Sequence, residues 1–276
     1  MRPRSKSGLK DGIDYEMPDV LSAIVLSVVQ GLTEFLPISS SAHLVLLGNI
    51  LGVKWPGLTF EVLVHFGTLI SVLWVFWGRV LGLVKAPFRG DGKNLKLLLL
   101  LGVGSVPIGV VGFFLADWVE WAFESTLAVG ISLIITGCFL FVVDQDKNKK
   151  GIFNIGVTES LLIGIMQGVS VFPGISRSGF TIGAGLLLGM KREAAAEFSF
   201  LLSIPAILGA TGFKVLEALT KPKLHQGLLL TYALGTALAF LFGVFAIRFL
   251  LGVLKKGRLS LFAYYCWVAG VVAIII

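Results

Sequence analysis

Six stretches of this chain, near residues 60–78, 95–116, 125–143, 193–213, 227–250 and 260–276, are apolar for long enough to cross a lipid bilayer. A hydrocarbon core of roughly 30 Å asks for about 20 apolar residues in a helix. Inside it every backbone N–H and C=O must be satisfied by the protein itself, which a helix does within one segment. The pattern predicts an all-α polytopic membrane protein. Composition agrees, with 56% of the 276 residues hydrophobic, 14% charged and 34 glycines available for close helix packing. The net charge of +7 implies no nucleic-acid partner, because the cations fall mostly between the apolar stretches. Cys138 and Cys266 lie within such stretches, which argues against a disulfide or a thiolate metal site. Residues 1–17 are polar, lack a signal-peptide core and read as a tail, leaving 18–276 as a single membrane domain.

Two further segments are apolar but broken in the middle. Residues 19–51 are interrupted by Glu34, Pro37, three serines and His43, and residues 152–190 by the run Phe172–Ser178. Each is too long for one crossing and too broken for two, so each is expected to form a re-entrant helix hairpin with a non-helical tip buried at membrane depth. The two resemble each other. Gln30-Gly31 matches Gln167-Gly168, and nine residues after each glutamine stand Ser39 and Ser176. Three apolar stretches follow each hairpin, giving a repeat over 18–143 and a second over 152–276. Three crossings plus a hairpin that returns to its own side invert the second repeat relative to the first, an architecture found in secondary transporters. Loops 79–96, 144–151, 190–193 and 248–258 hold 14 Lys/Arg against 8 on the other side, which places them in the cytoplasm by the positive-inside rule.

An arginine in the middle of the second hairpin needs a reason. A cation at mid-bilayer costs roughly 3 kcal/mol on insertion scales, so by default it marks a functional site. Pro173-Gly174 breaks the helix, and Ser176 stands where an N-cap would start the next one. The N–H groups of Arg177, Ser178 and Gly179 would then point into the break, and a helix N-terminus beside a guanidinium suits a phosphate. The plainer alternative is a proline-kinked helix with a snorkelling arginine. Ser176, Ser178 and Thr181 add hydroxyls for phosphate oxygens.

In the first hairpin Gln30 and Glu34 share a helical face, and Ser39 and Ser40 precede His43 by four and three residues. A hydroxyl beside a base is the minimum for an activated nucleophile, which assigns Ser40 and His43 to chemistry. Ser39 reads as a backbone cap and as a substrate-side hydroxyl, and Gln30 as a cap or a substrate contact. Glu34 would repel a phosphate unless it holds a divalent cation or orients His43 or Arg177. His65 and Glu61 are read as structural, with Glu61 a possible further metal ligand. Glu197 is read as a helix-start carboxylate.

The stretches QGLTEFLPISSSAH and PGISRSGFT resemble the two signature motifs of the undecaprenyl-diphosphatase family, also known as bacitracin resistance proteins. TFEVLVHFGTL and EFSFLLSIPAILGA are similar to the family as well, so the resemblance spans nearly the whole chain. It implies a plasma-membrane hydrolase that converts undecaprenyl diphosphate to the monophosphate, the lipid carrier of cell-wall precursors. It also implies a site facing outward that uses Mg²⁺ or Ca²⁺, with Glu34 as the metal ligand. Carried over by position, Gln30, Glu34, Ser40, His43, Ser176, Arg177 and Thr181 form the functional set. A homodimer is compatible with the sequence. A transporter or lipid flippase is the rival reading. A lipid phosphatase of the acid-phosphatase type is excluded, because its PSGH motif is absent and the next histidine after Arg177 is His225.

Overall fold

The computed structural model describes residues 20–51, 58–144, 149–220, 229–257 and 259–276. The N-terminal tail, His225, Lys221 and Lys223, as well as the side chains of Glu61 and Lys214, lie outside the described residues. Twelve α-helices run through the described part. They are α1 (Val20–Thr33), α2 (Ser40–Leu51), α3 (Leu58–Val75), α4 (Trp77–Arg89), α5 (Gly92–Phe114) and α6 (Ala116–Phe123), followed by α7 (Thr126–Val143), α8 (Val157–Val169), α9 (Arg177–Leu187), α10 (Arg192–Thr220), α11 (Leu229–Lys255) and α12 (Ser260–Ile275).

Polar and apolar residues are distributed inside out relative to a water-soluble protein. Trp74, Phe88, Phe113, Phe245 and Val268 are exposed, while Gln30, Glu34, Thr136, Gln167 and Thr181 are buried. Such a surface is suited to lipid and not to water. Four helices are long and apolar enough to cross a bilayer: Gly92–Phe114, Thr126–Val143, Arg192–Gly212 and Leu229–Lys255. The bent pair Val62–Val75 and Trp77–Arg89 gives up to five if it counts as one span. Six spans are expected from the sequence; α12, the last of them, has only 16 residues.

Segments 79–96 and 248–258, expected as loops, are largely helical, and so is 116–123. α4 carries Arg79, Lys85 and Arg89, yet it buries Leu83 and Ala86 on one face and turns away from α3 by 82°. Charge marked this segment as polar but could not show that the charges share a helix with a buried stripe. Gly90, in the left-handed conformation at φ 66°, ends α4, and the Asp91 side chain accepts from the Asn94 N–H to start α5. The short α6 presents Trp118 and Trp121 outward, as aromatic residues do at a membrane interface.

Packing positions the two broken segments against the rest. α1 folds back on α2, and α8 on α9; α1 also runs along α11, α8 along α5, and α7 along α12. Glycine permits the closest of these approaches. A Cβ on Gly164 of α8 would stand 2.3 Å from the Gly104 carbonyl oxygen of α5, and one on Gly270 of α12 would stand 2.8 Å from that of Gly130 in α7. Ion pairs then tie the ends together. Arg192 donates to Asp144 at 2.7 Å, and the other Asp144 oxygen accepts from the Ser260 N–H at 2.8 Å, joining the ends of α7, α10 and α12. Glu197 lies in the second turn of α10, not its first, and pairs with Arg79 of α4 at 2.6 Å.

Candidate functional site

The two hairpin tips meet, and each is built from a break followed by a serine cap. In the second, Gly174 has φ 94°, and the Ser176 hydroxyl accepts from the Gly179 N–H at 3.2 Å, so α9 begins at Arg177 as its cap predicts. In the first, Ser39 adopts φ 65°, and its hydroxyl accepts from the Ala42 N–H at 3.4 Å. A left-handed conformation outside glycine costs on the order of 1–3 kcal/mol and is held only where neighbours over-determine it. Other contacts tie the two tips to each other and to helices from across the molecule. Ser178 donates to the Leu36 carbonyl at 2.9 Å, linking the tips directly. Thr136 of α7 donates to the Gly174 carbonyl at 3.0 Å and accepts from the Ser176 N–H at 3.1 Å. Phe35 packs edge-on against Phe200 of α10, 5.6 Å between ring centres.

At the meeting point Glu34 is the hub. One carboxylate oxygen accepts from the Gln30 amide at 2.8 Å and from the Ser40 hydroxyl at 2.7 Å. The other accepts from the Arg177 guanidinium. The side chains of Glu34 and Arg177 are 6% and 18% exposed, so neither charge could persist there without the other. The arginine read from the sequence as a mid-membrane functional group is therefore paired, and its partner is the acid of the other hairpin.

A cavity of about 850 Å³ opens from this hub. Glu34, Ser39, Ser40, Ser176 and Arg177 form its polar end, while α5 and α10 line the rest with Ile108, Phe113 and Ile207 among others. It also runs beside Pro205, in mid-helix in α10, and includes His65 of α3. His65, read from the sequence as structural, is thus brought to the same cavity as the acid, the serine and the arginine. Its one sequence signal was a titratable side chain in an apolar span.

The remaining expected site residues stand behind the wall. Gln30 is fully buried and reaches the cavity only through Glu34. Ser178 is committed to Leu36, and Thr181 donates to the Arg177 carbonyl at 2.7 Å and shares a 2.5 Å hydrogen bond with Ser199. His43 is not at the Ser40 hydroxyl. Its Nδ1 lies 2.7 Å from the Ser39 carbonyl oxygen, and its Nε2 lies 2.6 Å from the hydroxyl of Tyr265 in α12. Tyr265 and Thr136 carry no motif and could not be found from their own sequence surroundings.

Among the described residues no three of His, Cys, Asp and Glu gather to hold a metal. Glu34 with the Ser39 and Ser40 hydroxyls is an all-oxygen set with one carboxylate, which fits Mg²⁺ bound chiefly through substrate phosphates and water.

Fold and site together define a polytopic helical membrane protein with a buried acid–serine–arginine centre at the junction of two helix hairpins. The chain matches the family model described as bacitracin resistance protein BacA over residues 23–272, and it belongs to that family. It is 42% identical to an undecaprenyl-diphosphatase of Halothermothrix orenii, covering 94% of this chain and 98% of that protein. An undecaprenyl-diphosphatase of Desulforapulum autotrophicum is 43% identical, with 93% of this chain and 98% of the relative covered. One from Carboxydothermus hydrogenoformans is 41% identical, with 92% and 96% covered.

Proposed function

We propose that this protein hydrolyses undecaprenyl diphosphate to undecaprenyl phosphate and inorganic phosphate, recycling the lipid carrier for peptidoglycan synthesis and conferring bacitracin resistance. The observation that carries the reading is the Ser40 hydroxyl, hydrogen-bonded to Glu34 beside Arg177 at the polar end of a mostly apolar cavity. A polyprenyl diphosphate has the matching shape, a polyanionic head on an apolar chain. The head meets the guanidinium, while the chain leaves along α5 and α10 toward lipid. A cavity of this volume suits a drug-sized ligand, so most of a C55 chain lies beyond it.

Arg177 has five N–H donors, and its pairing with Glu34 leaves others for phosphate oxygens. A diphosphate that draws the guanidinium toward itself leaves the carboxylate free to take the Ser40 proton. Ser40 Oγ then attacks the terminal phosphorus, the bond to the bridging oxygen breaks, and undecaprenyl phosphate departs. Water cleaves the phosphoserine and releases phosphate. His43, expected to manage the Ser40 proton, would have to leave both of its partners to do so, whereas Glu34 is already in contact. Glu34 would also hold the divalent cation, which supplies charge neutralisation on the diphosphate when bound. Direct attack by water on the diphosphate is the competing route, and trapping a phosphoserine at Ser40 separates the two.

The finer architecture follows the same reading. The reciprocal packing of α1 on α11 and α8 on α5, with α7 on α12, supports an inverted repeat over 18–143 and 152–276 with re-entrant hairpins. The excess of basic residues in segments 79–96, 144–151, 190–193 and 248–258 supports an orientation with those segments in the cytoplasm, and the family resemblance implies a plasma-membrane site open to the outer face. The test is phosphate release from undecaprenyl diphosphate by purified protein in detergent, with and without EDTA. Release by the parent and its loss in Ser40→Ala and Arg177→Ala are expected; no release from folded parent with added Mg²⁺ would favour the transporter reading.

A further inference from the structure

The Ser39 carbonyl oxygen is held twice by one residue. It accepts from the His43 backbone N–H at 3.4 Å, a long helical bond, and from His43 Nδ1 at 2.7 Å, a short one. A carbonyl can only accept, so Nδ1 carries the hydrogen. In the neutral ring Nε2 is then an acceptor, and the Tyr265 hydroxyl donates to it at 2.6 Å. The two rings also stack, with centroids 5.6 Å apart and planes within 8°. One residue further along α12, the Cys266 thiol donates to the Pro37 carbonyl at 3.5 Å. Thus α12, the last helix of the chain, holds the first hairpin tip from behind at two successive positions.

We infer that Tyr265 and His43 form a brace that holds Ser39 in its left-handed conformation and so aims the Ser40 hydroxyl at Glu34. The inference rests on the reading of Ser40 as the nucleophile. Both ring nitrogens of His43 are spent on the brace, and the imidazole is absent from the cavity wall that Ser39 and Ser40 help to form. Ser39 is the one described non-glycine residue at positive φ, and a backbone in that region springs back unless something pulls its carbonyl into place. His43 pulls, and Tyr265 keeps the ring in the tautomer and plane that let it pull. Tyr265 and His43 are positioning residues in this arrangement, and proton transfer from Ser40 belongs to Glu34.

The experiment compares His43→Asn with His43→Ala and adds Tyr265→Phe, using purified full-length protein and undecaprenyl diphosphate. Asparagine places an amide N–H near the Nδ1 position and has no ionisable group. If His43 is a brace, His43→Asn retains a kcat about three- to tenfold above that of His43→Ala, as expected for a single recovered hydrogen bond. Tyr265→Phe keeps the stacked ring and loses only the hydroxyl. It lowers kcat by about three- to tenfold with KM unchanged, and it has no further effect in the His43→Ala background. Equal kcat values for His43→Asn and His43→Ala, or a Tyr265→Phe kcat equal to that of the parent, would overturn the brace. Melting temperatures in detergent identify any variant that has simply lost its fold, and the Tyr265→Phe and His43→Asn arms stand independently of each other. Loss of activity in Ser40→Ala tests the nucleophile separately, so failure of that reading and failure of the brace are distinguishable.

Discussion

At the scale of residues, the centre is a mutual dependence between Glu34 and Arg177. Each is affordable inside the protein only because the other is there, and removing one partner of a buried pair costs about 3–5 kcal/mol. Arg177→Ala is therefore expected to lose phosphate release by orders of magnitude and also to melt earlier than the parent in detergent. Arg177→Lys keeps the charge but not the planar fork, so it recovers thermal stability more than kcat. Ser40→Ala leaves the ion pair intact, and its melting temperature stays close to that of the parent while turnover disappears. Coincident loss of stability in Ser40→Ala would show that the serine matters for folding and not for chemistry. The ion pair itself was legible as two separate anomalies, a mid-membrane arginine and a mid-hairpin acid. That they meet was visible only in the structure, because the 142 positions between Glu34 and Arg177 say nothing about distance.

At the scale of elements, the hairpins depend on what happens at their ends. α8 begins at Val157, and Glu159 in its first turn accepts from the Gly156 N–H at 3.0 Å and from Lys150 at 2.9 Å. The Lys150 ammonium first, and backbone N–H groups next, hold this carboxyl down to about 2 from its ordinary 4.5. A depressed carboxylate stabilises above its unfolded value and loses that contribution on acidification. The stabilisation of α8 is thus complete above about pH 4.5 and fades toward about pH 2. Glu159→Gln is expected to flatten that part of the melting-temperature profile, and an unchanged profile would show that the cap contributes nothing. The α5–α8 contact is set by backbone approach. Gly164→Val forces the helices apart at Gly104 and is expected to cost about 1–3 kcal/mol, read as a lower melting temperature.

At the scale of the whole molecule, the candidate site is spread over elements distant in sequence. The tips come from two segments, α7 supplies Thr136 between them, and α3, α5 and α10 close the cavity. Removing divalent cations with EDTA is expected to abolish turnover while leaving the fold intact, since the protein's own ion pair holds the centre together without metal. Recovery on adding Mg²⁺ and an unchanged melting temperature would confirm that separation; full activity in EDTA would sink the metal requirement. Asp144→Ala acts elsewhere, releasing Arg192 and the Ser260 N–H together, and is expected to lower the melting temperature with little change in KM.

The sequence by itself determined the membrane class, the two broken segments, the serine cap at α9 and the residues at the polar end of the cavity. These are local or compositional properties: apolar length, proline and glycine breaks, and a cap one residue before a helix. It did not determine that α4 and α6 are helices, since charge reports polarity and not whether one face is buried. Nor did it place His65 in the cavity or send His43 to Tyr265 instead of Ser40. Those outcomes depend on which helices stand beside the tips, and only the tertiary packing of α3, α10 and α12 decided them. A side chain in a tightly packed interior bonds to whatever its neighbours present, and most of its neighbours come from far away in the chain.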